Sequence, residues 1–212
     1  MTLNNMYKGF ARDSQDIEAA LLLANNIFNN PGGLSEEPLE NKKILVSPYG
    51  SLDQKDVVIV TNDQNEICGT CFLIDREFYK NDIRFIGTFL SSICISESHQ
   101  GKGFSRILME EAIKICQERG SSFAVLIARR AVDFFYNKFS FWGLSEYSTI
   151  SFRIPDKSIP CSDYSISPVT QEDLEAVSEL YDSTYSKLFG SCVRSIKYWN
   201  YVLWKAEIQK FN

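Results

Sequence analysis

The sequence predicts an α/β protein of the mixed α+β sheet type, with a helical extension at its C-terminus. Apolar runs separated by short polar turns follow one another over residues 57–95, which is typical of an antiparallel meander. A segment with helical spacing over residues 104–119 then separates this meander from a further apolar run. Two more helical patterns follow residue 168. The order of strand, helix, meander, helix, strand, helix and strand therefore indicates one mixed sheet.

The first helix and the strands around it are marked by short local signals. Asp13 or Ser14 is expected to cap the helix at its N-terminus, and the turn residues at 29–33 end it. The polar stretch from there to Gln54 is predicted to be a loop that forms a lid on the substrate side. Strands are expected at residues 7–11, 57–60, 67–74 and 84–95, with turns at 62–65 and 81–82.

The second half of the chain begins with the amphipathic helix. Its apolar side chains face the sheet, and four charged residues are predicted to point to water: Glu110, Glu111, Lys114 and Glu118. The fully apolar run at 123–127 is predicted to be a central strand that is covered on both faces. The remaining expected elements are a short aromatic helix at 133–139, a strand at 147–154, a linker at 155–168 and helices at 170–185 and 196–208.

The charge and composition of the chain exclude several classes of protein. Its 212 residues carry a formal net charge of -5 and show no basic stripe, which argues against a nucleic-acid binder. No apolar run approaches the roughly 18–20 residues of a membrane span, and residues 1–8 lack the features of a secretory signal, so a cytoplasmic protein is expected. Cys68 and Cys71 have the spacing of metal ligands, but no second pair or nearby histidine accompanies them. No metal site is therefore predicted.

The segment 93–106 is the most informative part of the sequence. It reads Ile-Cys-Ile-Ser-Glu-Ser-His-Gln-Gly-Lys-Gly-Phe-Ser-Arg, a strand that leads through a glycine-containing turn into a helix. A helix N-terminus presents unpaired N–H groups, and glycine lets the backbone close on an anion, so phosphate binding is expected here. The Gly-x-x-x-x-Gly-Lys-Ser/Thr loop is absent, and a Gly-x-Gly-x-x-Gly dinucleotide fingerprint would follow the first strand of a parallel unit rather than a meander.

Two motifs resemble those of the GNAT superfamily of acetyl-CoA-dependent N-acetyltransferases. Gln100, Gly103 and Ser105 stand at the specified positions of its signature Arg/Gln-x-x-Gly-x-Gly/Ala, with serine in place of the last small residue. Residues 135–141 are similar to its Phe-Tyr-x-x-x-Gly-Phe element, with Ser140 in place of glycine. The resemblance implies the acyl-CoA N-acyltransferase fold, with acetyl-CoA as the co-substrate and no metal.

The resemblance also implies which residues hold acetyl-CoA. The backbone of Ile93, Cys94 and Ile95 would pair with the pantetheine arm, as an added strand would. The loop and the first turn of the helix would hold the pyrophosphate with their amides. The residues of this second group are Gln100, Gly101, Lys102, Gly103, Phe104, Ser105 and Arg106.

The catalytic residues form a second group of predicted site residues. The resemblance implies that Tyr136 protonates the leaving thiolate, because a phenol stays protonated at neutral pH; a packed aromatic residue is the alternative. An amine acceptor must also lose a proton. Glu97, Asp75 and His99 are the candidates for that general base, and Glu97 is the one predicted.

The C-terminal segment adds a finer resemblance. Residues 168–199 are similar to the start of the second GNAT-like half in the Eis-like (enhanced intracellular survival) branch, whose members acetylate amines of aminoglycosides or lysines. We therefore expect a GNAT domain at 1–155, and at 156–212 a linker with the helical start of a shortened second half. The expected acceptor is a primary amine of an aminoglycoside-, polyamine- or lysine-like small molecule, which attacks directly in a ternary complex. The alternative is an acyl-CoA-binding module without turnover. Residues 163–212 are expected to pack against the GNAT sheet or against another copy of the chain, rather than to fold as an independent domain.

Overall fold

The structure is a computed structural model that describes residues 6–28, 52–128, 132–143 and 167–209. Within these ranges the strands are β1 Lys8–Phe10, β2 Val57–Thr61, β3 Ile67–Lys80, β4 Ile83–Ile95 and β5 Ala124–Val125. The helices are α1 Ser14–Ile27, α2 Phe104–Glu118, α3 Asp133–Tyr136, α4 Leu174–Tyr185 and α5 Ile196–Gln209. Most of the predicted lid, the strand predicted at 147–154 and most of the predicted linker lie outside the described residues.

The five strands form one sheet in the order β1-β2-β3-β4-β5. The strands from β1 to β4 pair antiparallel with their neighbours in the chain, whereas β5 pairs parallel with β4. A parallel partner must be reached through a crossover, and α2 supplies it. The meander and the mixed α/β sheet that the sequence predicts are therefore confirmed.

The hairpin of β3 and β4 is longer than the sequence predicts. The predicted strand ends at Ile74, but β3 continues to Lys80. Asn81 and Asp82 then turn the chain with φ angles of 51° and 65°, a left-handed conformation that these two residue types tolerate. The charged residues at 75–77 interrupt the apolar pattern, and the strand persists there because its pairing with β4 continues to the end of the hairpin.

Helices cover both faces of the sheet. On one face α2 packs on a buried apolar cluster from β2, β3 and β4. On the other face α1 packs on a second cluster, which includes the alternate side chains of β2. The Asp13 carboxylate caps α1 by accepting a hydrogen bond from the backbone N–H of Asp16 at 2.9 Å, which decides between the two predicted capping residues.

The second half of the chain differs from the prediction in two places. The run at 123–127 is predicted to be one central strand, but only Ala124–Val125 form β5. The strand predicted at 147–154 lies outside the described residues, so the central position of β5 stays a prediction. Glu111 is predicted to point to water, but it is buried beneath β1. Its carboxylate lies 3.3 Å from Nζ of Lys8 and 3.7 Å from Nζ of Lys114. A helical projection cannot show that a strand distant in sequence covers this side of α2.

The C-terminal segment pairs with the free edge of the long hairpin. Beyond the part of β3 that pairs with β2, the N–H of Tyr79 donates to the carbonyl of Ser191 at 2.8 Å. The N–H of Val193 donates to the carbonyl of Glu77 at 2.9 Å. The rings of Phe85 and Phe189 stack with their centroids 6.1 Å apart. The predicted capping box before α4 is present and made by Thr170 and Asp173.

No helix within the described ranges is long and apolar enough to cross a membrane.

Candidate functional site

The sheet opens between β4 and β5. The two strands pair at Thr88↔Ala124 and Phe89↔Val125, and β4 then continues for six residues to Ile95. Within the described residues, no strand pairs with this part of β4 on the side turned away from β3. A register shift against β3 and a φ angle of 50° at Ser92 mark a bulge here, and bulges bend strands. We call this unpaired side of residues 90–95 the open edge of β4.

The direction of each peptide group at the open edge follows from the β3–β4 pairing. The N–H of Ser96 donates to the carbonyl of Cys68 at 2.8 Å, so the carbonyl of Ile95 in the same peptide points away from β3. Hydrogen-bonded pairs alternate along an antiparallel ladder, so both polar groups of Cys94 point toward β3. The carbonyl of Ile93 and the N–H of Ile95 therefore also face the open edge, and the backbone of Cys94 does not.

The open edge ends in a glycine-containing loop. Gly101 and Gly103 have φ angles of 75° and 88°, and a Cβ added to either would meet no atom within 4 Å. Gly103 is the N-cap of α2, and no side chain of the described residues caps this helix. Lys102 and Arg106 are exposed beside it. An exposed glycine loop at a helix N-terminus, with two cationic side chains beside it, suits a pyrophosphate group.

Side chains hold the two ends of the loop. The Nε2 group of Gln100 donates to the carbonyl of Ile95 at 3.2 Å. The Nδ1 atom of His99 lies 2.8 Å from Oγ of Ser96. The His99 ring meets the ring of Phe104 edge-on, with 5.3 Å between centroids. His99 is therefore half-buried and held by contacts within the loop.

Tyr136 lies at the end of α3, against the same apolar cluster that α2 covers. Its ring is half-buried between Phe135 and Phe141, at centroid distances of 5.3 and 6.3 Å. Burial raises the pKa of the Tyr136 phenol, so the hydroxyl is protonated at neutral pH. Within the described residues this hydroxyl has no hydrogen-bond partner. The side chains of Ile93 and Ile95 pack on the same cluster, which places Tyr136 and the open edge on one face of the sheet.

The two acidic candidates differ in their surroundings. Glu97 is exposed in a single 3-10 turn, Glu97–His99, at the loop end of β4. Asp75 faces Thr88 across the hairpin and accepts a hydrogen bond from its Oγ1 at 2.6 Å, while its other carboxylate oxygen lies 3.5 Å from Nη1 of Arg119. Both oxygens of Asp75 are therefore engaged by neighbouring side chains. Sequence reasoning missed Arg119, which no motif marks.

The cysteines are reduced in the described part of the chain. Burial raises the pKa of Cys71, and it raises that of Cys94 to about 12. Both thiols therefore stay protonated, and a thiolate is the form that binds metals. The described residues contain no group of three or more His, Cys, Asp or Glu side chains placed to hold a metal ion.

A family model described as the acetyltransferase (GNAT) family matches residues 25–141. That span is more than half of the chain, and it contains the open edge, the glycine loop and Tyr136. This chain belongs to the acetyltransferase (GNAT) family, whose members are N-acetyltransferases. No sequence among the curated proteins matches it.

Solved structures of the same fold include enzymes with different acceptors. Eis1 from Mycobacterium abscessus is 16% identical with a TM-score of 0.61, over 96% of this chain and 48% of Eis1. Glucosamine-6-phosphate N-acetyltransferase from Arabidopsis thaliana is 12% identical with a TM-score of 0.52, over 70% of this chain and 99% of that enzyme. An aminoglycoside acetyltransferase from an uncultured soil metagenomic sample is 14% identical with a TM-score of 0.51, over 73% and 98% of the two chains. At these identities the likeness is one of fold.

Proposed function

We propose that this chain transfers the acetyl group of acetyl-CoA to a primary amine of a small molecule, by direct attack of the amine within a ternary complex. The observation that carries the proposal is the continuity of the open edge of β4 with the glycine loop and the N-terminus of α2. An extended arm and a diphosphate are the two parts of coenzyme A that such a continuous surface would recognise.

The arm and the phosphates are assigned to different parts of this surface. The carbonyl of Ile93 and the N–H of Ile95 are the backbone groups proposed to pair with the pantetheine arm, and Cys94 holds this stretch of β4 in the sheet. Gln100 supports the end of the strand through the Ile95 carbonyl. The pyrophosphate is assigned to the loop and the first turn of α2, with the amides of Gly101, Lys102, Gly103, Phe104, Ser105 and Arg106.

The proposed reaction needs one proton to pass from the amine to a general base and one to reach the sulfur. The thioester of acetyl-CoA supplies the acetyl group, and a carbon–nitrogen bond forms as the carbon–sulfur bond breaks. The Tyr136 hydroxyl donates its proton to the departing thiolate. Its half-buried position keeps the phenol protonated until then.

Of the two catalytic residues predicted from the sequence, Glu97 is the less favourably placed for the proposed reaction. A pantetheine arm that starts at the loop would run back along β4 toward Leu90, in the direction away from the turn that holds Glu97. The role of Glu97 as general base therefore stays a prediction. Its exposed position is also the observation that favours the alternative function, an acyl-CoA-binding module without turnover.

The acceptor is proposed at the level of chemical class. The net charge of -5 favours a cationic amine over an acidic acceptor, and aminoglycosides, polyamines and lysine peptides all carry such amines. The names of two similar structures, an aminoglycoside acetyltransferase and a glucosamine-6-phosphate N-acetyltransferase, point to amino sugars as the first compounds to test.

We further propose that residues 1–155 form the GNAT domain and that residues 156–212 are a linker and helices that depend on it. The contacts of the C-terminal segment with the free edge of β3 support this division. Cutting the chain after Ile154 should lower the melting temperature or the solubility of the remainder. An equally stable, monomeric 1–154 fragment would contradict this dependence, and loss of a dimer on cutting would indicate that the helices join two copies.

The decisive experiment separates binding from turnover. Calorimetry with acetyl-CoA measures binding, and release of the free thiol in the presence of each amine measures transfer. Binding with amine-dependent thiol release supports the enzyme. Binding with no release across aminoglycosides, polyamines and lysine peptides supports the binding module, and absence of acetyl-CoA binding refutes both.

A further inference from the structure

We propose that His99 is a positioning residue, which holds the glycine loop in the shape that receives the phosphates of acetyl-CoA. This inference rests on the proposed function, because it concerns the same cofactor site. His99 touches neither the open edge nor Tyr136, so it is assigned no part in the chemistry.

The middle of the glycine loop is little supported by the described residues around it. Residues 101–103 are exposed, and space around Gly101 and Gly103 is open in the direction a side chain would take. Glycine also loses the most conformational freedom when it is ordered. A loop of this kind binds its ligand tightly only if something outside it has already fixed its ends.

A side-chain contact across the loop provides this restraint. His99 lies just before the glycines and Phe104 just after them, and their rings meet edge-on with planes at 87°. Phe104 is buried in the cluster beneath α2, and this packing holds its ring in place. Edge-to-face pairs at this distance are favourable beyond the apolar area that they bury.

The other side of the His99 ring is tied to the sheet. Its Nδ1 atom lies 2.8 Å from Oγ of Ser96 and 3.0 Å from Oγ of Ser98. Ser96 in turn donates its N–H to the carbonyl of Cys68 in β3. The ring therefore links the sheet, through Ser96, to the first residue of α2, and the glycines span the gap between these two anchors.

Three substitutions separate the contact of His99 with Phe104 from its contact with Ser96. His99→Ala removes both contacts, His99→Phe keeps a ring against Phe104, and His99→Asn keeps a polar atom near Ser96. The Kd of acetyl-CoA, measured by calorimetry, should rise about fivefold or more in His99→Ala, with smaller rises in the other two variants. With the enzyme saturated, kcat should stay within about twofold while KM for acetyl-CoA rises. Glu118→Ala, exposed at the far end of α2, is the control and should leave both constants unchanged.

A readout without acetyl-CoA tests the loop itself. In the cofactor-free chain, the amides of residues 101–105 should exchange with deuterium faster in His99→Ala than in the wild type, while those in the middle of α2 stay protected. His99 is the only histidine, so its imidazole signals in an NMR spectrum are unambiguous and should shift when acetyl-CoA is added to the wild type.

The outcomes divide cleanly between the two proposals. A wild-type chain that does not bind acetyl-CoA refutes the proposed function. A wild type that binds, together with variants of unchanged Kd and unchanged exchange at 101–105, refutes the role of His99. A lower melting temperature with unchanged Kd also refutes it, since the ring would then be a general structural contact. If His99→Ala does not fold, the Phe and Asn variants decide the same question.

Discussion

Replacing Gly103 by glutamate tests the phosphate-binding loop most directly. Acetyl-CoA at a hundredfold excess over its Kd should add about 2.7 kcal/mol to the free energy of unfolding of the wild type. For a chain of 212 residues, this corresponds to a rise of about 5–11 °C in Tm. A glutamate at Gly103 would place its Cβ and its carboxylate in the open space where the phosphates are assigned. The rise in Tm should therefore disappear.

Gly120 offers a matched control for this substitution. It follows α2 at the opposite end with a φ angle of 72°, and a Cβ there also meets no atom within 4 Å. A glutamate at either glycine is forced into the left-handed region, at about 1–2 kcal/mol, so both variants should melt at lower temperature without cofactor. Only Gly120→Glu should keep the cofactor-induced rise in scanning fluorimetry. A full rise in Gly103→Glu, or an equal loss in both variants, would refute the assignment of the loop.

Three further predictions concern catalysis, pH and stability. Tyr136→Phe should lower kcat about 10²-fold or more with an unchanged Kd for acetyl-CoA; near-normal turnover would return this ring to a packing role. Burial raises the pKa of Cys94 from 9.0 to about 12, so its contribution to stability is complete below pH 9 and is lost as the pH rises toward 12. In urea unfolding, the free energy of unfolding of Cys94→Ala should fall less steeply with pH over that range than that of the wild type. An unchanged dependence on pH would contradict the assignment. Lys8→Met should destabilise the chain by about 1 kcal/mol more than Lys114→Met, because Lys8 makes the closer pair with buried Glu111; equal effects in urea would contradict this.

The parts of the fold that follow from local sequence signals were predictable. Asp13 caps the helix that directly follows it, and the apolar residues of α2 recur at the spacing of one helical face. Both signals can be read from residues close together in the sequence. The extension of β3 beyond Ile74 was not predictable, because charged residues there are held by pairing with β4 and with residues near Ser191. The same is true of Glu111, whose burial depends on β1.

The candidate site divides in the same way. The glycine loop could be predicted because a strand, a turn and a helix N-terminus are contiguous in sequence. The orientation of the peptide groups at Ile93 and Ile95 could not, since it depends on which residues of β3 lie opposite. The contact of His99 with Phe104 crosses only the loop, but no residue pattern indicates that two rings on either side of it will meet.

The position at which β4 and β5 separate is fixed by a polar cluster around Thr88. Its N–H donates to the carbonyl of Phe123 at 3.0 Å, and its Oγ1 lies 2.6 Å from both Asp75 and Ser121. Arg119 then holds Asp75 from the end of α2. Thr88 is fully buried, and loss of its hydroxyl would remove both of these side-chain contacts. The residues between α2 and β5 are therefore held against β4 at Thr88. The two strands can separate only beyond this residue. The cluster thus sets where the open edge begins, and the glycine loop sets where it ends.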